Sequence, residues 1–144
     1  MPAGQAAHGA TRAWDGRQAS VQLAAGGGED GRLYAGEVAA LDLRGALVVL
    51  SACRTDAGDV VAGEGVTGLT SAFLRASARA VVTTAWQLPD RAIVPRFYQR
   101  LAAGDPVGRA LRAARLASLQ RGDPAALWGG LRLVGDAAAP ARMR

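Results

Sequence analysis

Two side chains in this sequence are suited to nucleophilic catalysis: the single cysteine, Cys53, and the single histidine, His8. A cysteine thiolate attacks carbonyl carbons, and a histidine close to it takes the thiol proton and later returns it to the leaving group. A free cysteine is also among the residue types most often buried as packing. By residue type alone, Cys53 is either a nucleophile or a core residue.

The segment before Cys53 predicts a buried strand. Residues 46–52, ALVVLSA, form a continuous apolar run, which is typical of a strand covered on both faces. RAVVTTAW (79–86) has the same character, and GLRLVGD (130–136) predicts a further strand. In α/β folds, binding and catalytic sites lie beyond the carboxyl ends of such strands. The position of Cys53 therefore favours a catalytic role.

Apolar residues at helical spacing separate the predicted strands. They predict helices over 36–43, 66–78, 91–104 and 105–122, and short segments at 20–24 and 32–34 predict a hairpin. We expect Val38 and Leu41 to face the core, and Asp105 to cap the last helix. The alternation of strands and helices predicts an α/β fold, a three-layer α/β/α sandwich with a mainly parallel sheet. Residues 137–144 are expected to form a disordered tail.

Composition and charge limit the classes of function. The 144 residues fit a single domain, assigned here to 1–136, and the net charge of +5 comes from arginines scattered along the chain. Because no run of basic residues occurs, a nucleic-acid partner is not expected. One cysteine excludes an internal disulfide and a multi-cysteine zinc site, and no cofactor is predicted. Neither a run of about 20 apolar residues nor an apolar leader occurs, so we expect a cytoplasmic location without a membrane partner.

Several short motifs occur in a fixed order along the chain. They are HG (8–9), LVVLSACRTDAG (47–58), GEG (63–65), W-x-x-x-D (86–90), FY (97–98), DPVGRALRAARLASL (105–119) and LVGD (133–136). In this combination the sequence resembles the CHAT domain, a caspase-like module often attached to tetratricopeptide repeats. The resemblance is continuous from about residue 20 to 136. Since the segments that usually precede HG are not present, it implies the C-terminal part of such a domain, truncated at its N-terminus.

The resemblance implies a caspase-like cysteine endopeptidase with a Cys/His dyad. Cys53 would attack a peptide carbonyl to form an acyl-enzyme, and His8 would act as general acid and base. The backbone N–H groups of Gly9 and Cys53 would form the oxyanion hole. The implied partners are a protein or peptide substrate and a regulatory protein, for example one with tetratricopeptide repeats. The alternative is a non-catalytic CHAT fragment that binds another protein through its sheet edge.

Four further residues are candidates for the substrate pocket. Asp56 and Glu64 follow Cys53 in a loop, where they could shape the pocket or form a solvated surface. Trp86 and Asp90 follow the next predicted strand and could line the same site. A tryptophan there could equally belong to the core, and an aspartate before a helix is commonly its N-cap.

Overall fold

The computed structural model of the chain describes residues 8–10, 20–22, 31–50, 60–61, 65–66, 68–86, 88 and 93–141. Within these ranges the strands are β1 (His8–Ala10), β2 (Ser20–Gln22), β3 (Arg32–Tyr34), β4 (Leu47–Leu50), β5 (Val60–Val61), β6 (Gly65–Val66), β7 (Ala80–Thr84) and β8 (Leu131–Gly135). The helices are α1 (Ala35–Ala39), α2 (Leu69–Arg75), α3 (Ile93–Ala102), α4 (Val107–Gln120) and α5 (Ala125–Trp128). The mixture of helices and strands confirms the predicted α/β class.

The central sheet has the strand order β4–β7–β8. β4 and β7 run parallel, with Leu50 opposite Thr83, and β8 runs antiparallel to β7, with Leu131 opposite Thr84. A second sheet has the order β1–β2–β3 and is antiparallel, and β5 and β6 form a short antiparallel pair. The predicted hairpin over 20–24 and 32–34 therefore corresponds to β2 and β3.

Among the strand pairings in the described residues, only β4–β7 is parallel, so these strands do not form the mainly parallel sheet that the sequence predicts. The reason lies in the two helices between β7 and β8. α4 begins beside the end of β8, where the Gly108 N–H bonds the Ala137 carbonyl, and passes the start of β8, where Arg115 donates to the Leu131 carbonyl. α3 runs from the edge of the sheet where β7 ends to the edge where β7 starts, and α4 runs in the opposite direction. β8 therefore starts at the edge where β7 ends and must run antiparallel to β7.

β7 divides the hydrophobic core into two clusters. Side chains of a strand alternate between its faces, and Ala80 and Val82 belong to one cluster while Val81 belongs to the other. We call the side with Ala80 and Val82 the α3–α4 face, because residues of α3 and α4 complete its cluster. The side with Val81 is the α1–α2 face, completed by residues of α1 and α2. All five residues of β7 are buried, as the continuous apolar run predicts.

Part of the predicted tail packs against the fold. The Val107 N–H bonds the Ala139 carbonyl, the Gly108 N–H bonds the Ala137 carbonyl, and Ala139 is only 1% exposed. The first N–H groups of a helix have no partner within the helix, and here the tail carbonyls satisfy two of them. The expectation of a disordered tail is therefore wrong for residues 137–141. The predicted cap is also wrong, since Pro106 occupies the N-cap of α4 and Asp105 forms an ion pair with Arg100.

Two of the predicted helices are shorter than their apolar spacing indicates. α1 ends at Ala39, so Val38 is fully buried but Leu41, beyond the helix, is 44% exposed. α2 begins at Leu69, because Val66 instead pairs with Val60 between β6 and β5. In the part of the chain that the structure describes, no helix is both long enough and apolar enough to cross a lipid bilayer.

Candidate functional site

The carboxyl ends of β4 and β7 lie at the same edge of the central sheet. Leu50, the last residue of β4, pairs with Thr83, and Leu131, the first residue of β8, pairs with Thr84. We call this the carboxyl edge, defined by Leu50, Thr84 and Leu131. Cys53 follows Leu50 by three residues in the sequence. The strand predicted to lead to Cys53 therefore exists and ends at the kind of edge where α/β folds place their sites.

Several candidate residues lie outside the described residues. They are Cys53, Asp56, Glu64 and Asp90. Their predicted roles as nucleophile and pocket residues stay predictions. The described elements that flank them in sequence show where the chain enters and leaves these segments.

His8 and Gly9 lie on β1, the first strand of the antiparallel sheet. Gly9 is opposite Val21 of β2, and Val21 is buried in the core cluster of the α1–α2 face. Leu50 belongs to the same cluster. β2, which pairs with the strand that carries His8, and β4, which precedes Cys53, thus contribute to one apolar cluster, although 45 residues separate the dyad candidates in the sequence.

Trp86 is fixed at the carboxyl edge by the connection between α5 and β8. Its indole Nε1–H donates to the Ala126 carbonyl over 3.0 Å, and the Ala85 N–H bonds the Gly130 carbonyl over 2.8 Å. A Cβ on Gly130 would lie 3.0 Å from the Trp86 ring and 2.9 Å from Leu88, so the glycine permits this contact. Because Trp86 is still 40% exposed, it packs the edge and also presents a surface there.

The described residues offer no cluster of three or more histidine, cysteine, aspartate or glutamate side chains that could hold a metal ion. The polar side chains of β7 at the carboxyl edge are those of Thr83 and Thr84, which are almost fully buried. The chemistry of the described part of this edge is therefore that of packing and hydrogen bonding.

A groove between α4 and the outer edge of β8 was not expected from the sequence. We call it the α4–β8 groove; its volume is about 660 Å³ and it is lined by Gly108, Leu111, Arg112, Arg115, Leu116, Leu119, Trp128, Arg132, Leu133 and Val134. Burial lowers the pKa of the Arg115 guanidinium. The signal in the sequence is the helical spacing of Arg112, Arg115 and Leu119, which places them on one side of α4.

Comparison with known proteins supports the resemblance drawn from the motifs. A search of curated proteins finds no significant match to this chain. The sequence model of the CHAT domain family matches residues 5–136, nearly the whole chain, and this range includes His8, Gly9 and Cys53. CHAT domains form a caspase-like, protease-related family. The chain therefore belongs to the CHAT domain family.

Proposed function

We propose that the chain is a caspase-like cysteine endopeptidase module in which Cys53 and His8 form the catalytic dyad. The observation that carries the proposal is the match to a protease-related family over 5–136, which covers both residues. The fold is compatible with it, since β4 ends three residues before Cys53, and β2, which pairs with the strand that carries His8, contributes Val21 to the core cluster that contains Leu50 of β4.

The proposed reaction proceeds through an acyl-enzyme. The Cys53 thiolate attacks the carbonyl carbon of the scissile peptide bond, and the Gly9 and Cys53 N–H groups stabilise the resulting oxyanion. His8, which holds the thiol proton, donates it to the departing amine as the C–N bond breaks. Water then attacks the thioester with His8 as base, which releases the carboxylate product and returns the proton to the thiol.

We further propose that the central sheet lies in the middle of a three-layer α/β/α arrangement. This proposal is supported by the clusters on the α1–α2 face and the α3–α4 face, which cover opposite sides of β7. Such an arrangement leaves the carboxyl edge accessible to a substrate, because helices cover the faces of the sheet and not its ends.

The substrate pocket is proposed to include Asp56, Glu64, Trp86 and Asp90. The partial exposure of Trp86 at the carboxyl edge supports its part in this proposal. The partners proposed are a protein or peptide substrate and a regulatory protein with tetratricopeptide repeats. Mixing the chain with such a protein, when one is found beside it in a genome, should raise peptide hydrolysis if the partner regulates the site.

The proposal is tested by the reactivity of Cys53, which is the only thiol in the chain. In a working dyad the imidazole stabilises the thiolate, so the pKa of Cys53 falls below the ordinary thiol value of about 8.5. Alkylation by iodoacetamide, followed by mass spectrometry from pH 5 to 9, should show an early rise in the wild-type chain. The His8→Ala variant should instead follow the pH profile of the urea-unfolded chain, which serves as the control.

Catalysis is measured in parallel with peptide substrates and an electrophilic peptide probe. Cys53→Ala should abolish hydrolysis and labelling, and His8→Ala should lower kcat/KM by about 10²- to 10⁴-fold. A wild-type thiol that reacts with the same pH profile as the unfolded chain, together with no hydrolysis of any peptide, would refute the dyad in this chain.

A further inference from the structure

We propose that the α4–β8 groove is a docking site for an extended acidic segment of another protein, which adds as a strand to the outer edge of β8. This inference does not depend on the reactivity of Cys53, since it concerns the opposite side of β8 from β7. It rests on three features of the described residues: the backbone N–H and C=O of Leu133 at the outer edge, a row of arginines and exposed apolar side chains.

The backbone of β8 alternates between bonding β7 and pointing away from it. The Ala85 N–H bonds the Gly130 carbonyl and the Asp136 N–H bonds the Arg79 carbonyl, so Gly130 and Asp136 are in hydrogen-bonded pairs. Hydrogen-bonded and non-hydrogen-bonded residue pairs alternate along an antiparallel ladder. Leu133 is three residues from both Gly130 and Asp136, so it forms a non-hydrogen-bonded pair with Val82. The N–H and C=O of Leu133 point to the outer edge, where no described strand pairs with β8. Such groups are suited to strand addition.

The charge of the groove selects an acidic occupant. Its lining contains Arg112, Arg115 and Arg132 and no carboxylate. Neither Arg112 nor Arg115 forms an ion pair with a described residue. The Nη2 of Arg115 donates to the Leu131 carbonyl, while its Nε is buried without a hydrogen-bond acceptor among the described atoms. A carboxylate in the groove would complement the charge of these guanidinium groups.

Exposed apolar side chains surround the arginines. Leu116 is 40% exposed, Val134 41% and Leu119 56%. An extended segment places alternate side chains on opposite faces, so one set can meet α4 while the other meets Arg132 and Val134. The occupant is therefore a segment of about five residues, matching the length of β8, that alternates acidic and apolar residues. A second copy of this chain fits less well, because pairing β8 with β8 would bring two arginine-lined grooves together.

Binding is measured by fluorescence anisotropy with a labelled eight-residue peptide of alternating Glu and Val. We expect binding that weakens with added salt, and a loss of affinity of about tenfold in Arg112→Glu. The matched control is Arg109→Glu, since Arg109 is an exposed residue of the same helix that does not line the groove. Equal losses in the two variants would overturn the proposal, because they would indicate general attraction to a basic protein.

The strand geometry is tested with N-methylated forms of the same peptide. Methyl groups on alternate residues block hydrogen bonding along one edge of the peptide, and two such peptides block opposite edges. Only one of the two should lose binding if the peptide pairs with Leu133. Equal binding of both peptides, or of a Lys–Val peptide, would overturn the proposal. So would a concentration-dependent dimer in sedimentation velocity that excludes the peptide, since the groove would then belong to a second copy.

Failure of this proposal is distinguishable from failure of the proposed peptidase function. Cys53→Ala should bind the Glu–Val peptide as the wild type does. Arg112→Glu should retain the wild-type alkylation profile of Cys53 and the wild-type circular dichroism spectrum, which also shows that the variant is folded.

Discussion

The two faces of the central sheet share β7 but differ in how completely they are buried. On the α3–α4 face, the buried core residues are 0–3% exposed and include Phe97, Ile93 and Leu131. On the α1–α2 face the range is wider, 0–8%: Val38 and Ala72 are fully buried, whereas Val21, Leu50 and Phe73 are 4–8% exposed. On the α3–α4 face, residues 137–141 cover the start of α4, and Ala139 belongs to the buried cluster.

The more exposed core residues of the α1–α2 face include those that flank the candidate site. Val21 of β2, which pairs with β1, and Leu50 of β4 belong to the α1–α2 face, where they are 4% and 8% exposed. The long helices α3 and α4 lie on the other face. Less buried regions open at lower free energy than a tightly packed core, so we expect the α1–α2 face to open first.

Phenylalanine truncation should show the largest contrast between the faces. Phe97 is fully buried on the α3–α4 face, and Phe97→Ala should lower the free energy of unfolding by about 3–5 kcal/mol. Phe73 is 7% exposed on the α1–α2 face, and Phe73→Ala should cost less, about 2–3 kcal/mol, because its site can relax. Urea unfolding followed by circular dichroism measures both. If Phe97→Ala does not fold, the matched pair Phe97→Leu and Phe73→Leu keeps the comparison, and equal losses would contradict it.

Removing the chain after Asp136 should weaken the α3–α4 face. The shortened chain loses the Ala137 and Ala139 carbonyls that cap α4 and the burial of Ala139, which together are worth about 2–3 kcal/mol. Deleting only 142–144 is the control and should change stability little. A chain ending at Asp136 that unfolds at the same urea concentration as the control would show that the tail does not stabilise α4.

Two glycine substitutions should have opposite effects at the carboxyl edge and in α1. A Cβ at Gly130 would meet Leu88 at 2.9 Å and Trp86 at 3.0 Å, so Gly130→Ala should cost about 1–3 kcal/mol and change the tryptophan emission. Gly36 lies exposed in α1 with no described atom within 4 Å of such a Cβ. Gly36→Ala should be neutral or stabilise by about 0.5–1 kcal/mol. Similar costs in both variants would contradict the close packing of Trp86.

The smallest expected effect is on the acid dependence of stability. Hydrogen bonds from the Ala138 N–H and the Arg79 guanidinium hold the pKa of Asp136 below its usual value. A lowered folded-state pKa contributes stability above the unfolded value of about 3.9, and this stability is lost as pH falls through the folded pKa. Asp136→Asn should therefore flatten the stability profile below about pH 4.

The control for this measurement is Asp42→Asn. A side-chain hydrogen bond from Arg44 also lowers the pKa of Asp42, but the two residues are only two positions apart in the sequence and the pair can persist in the unfolded chain. Asp136 and Arg79 instead meet only in the folded sheet. Thermal unfolding from pH 2 to 5 should show a smaller change for Asp42→Asn, and equal changes would show that the Asp136 pair is not specific to the fold.

Strongly patterned elements were predictable from the sequence. The apolar runs around Val48 and Val81 became β4 and β7, and the long amphipathic segments became α3 and α4 with each end two residues inside the prediction. Weakly patterned elements were not, since β1 and the four-residue α5 have too few residues to show a period. The direction of β8 was also missed, because it follows from the path of two packed helices.

The candidate site, too, was only partly predictable from the sequence. The motifs around Cys53 and His8 identified the family, which the match over 5–136 confirms. Trp86 was predicted with two interpretations, and its contacts with Ala126 and Gly130 show that it packs the edge. The α4–β8 groove was missed, because Arg132 and Val134 lie on β8 and meet the arginines of α4 only after folding.

The sequence by itself determined the local elements and the order of the CHAT motifs, because periodicity and residue type act over a few neighbours. The tertiary structure decided the antiparallel direction of β8, the capping of α4 by residues 137–141 and the difference between the two faces. Each of these depends on contacts between residues far apart in the chain. Their free energies exist only when the chain is packed, so no local pattern in the sequence can specify them.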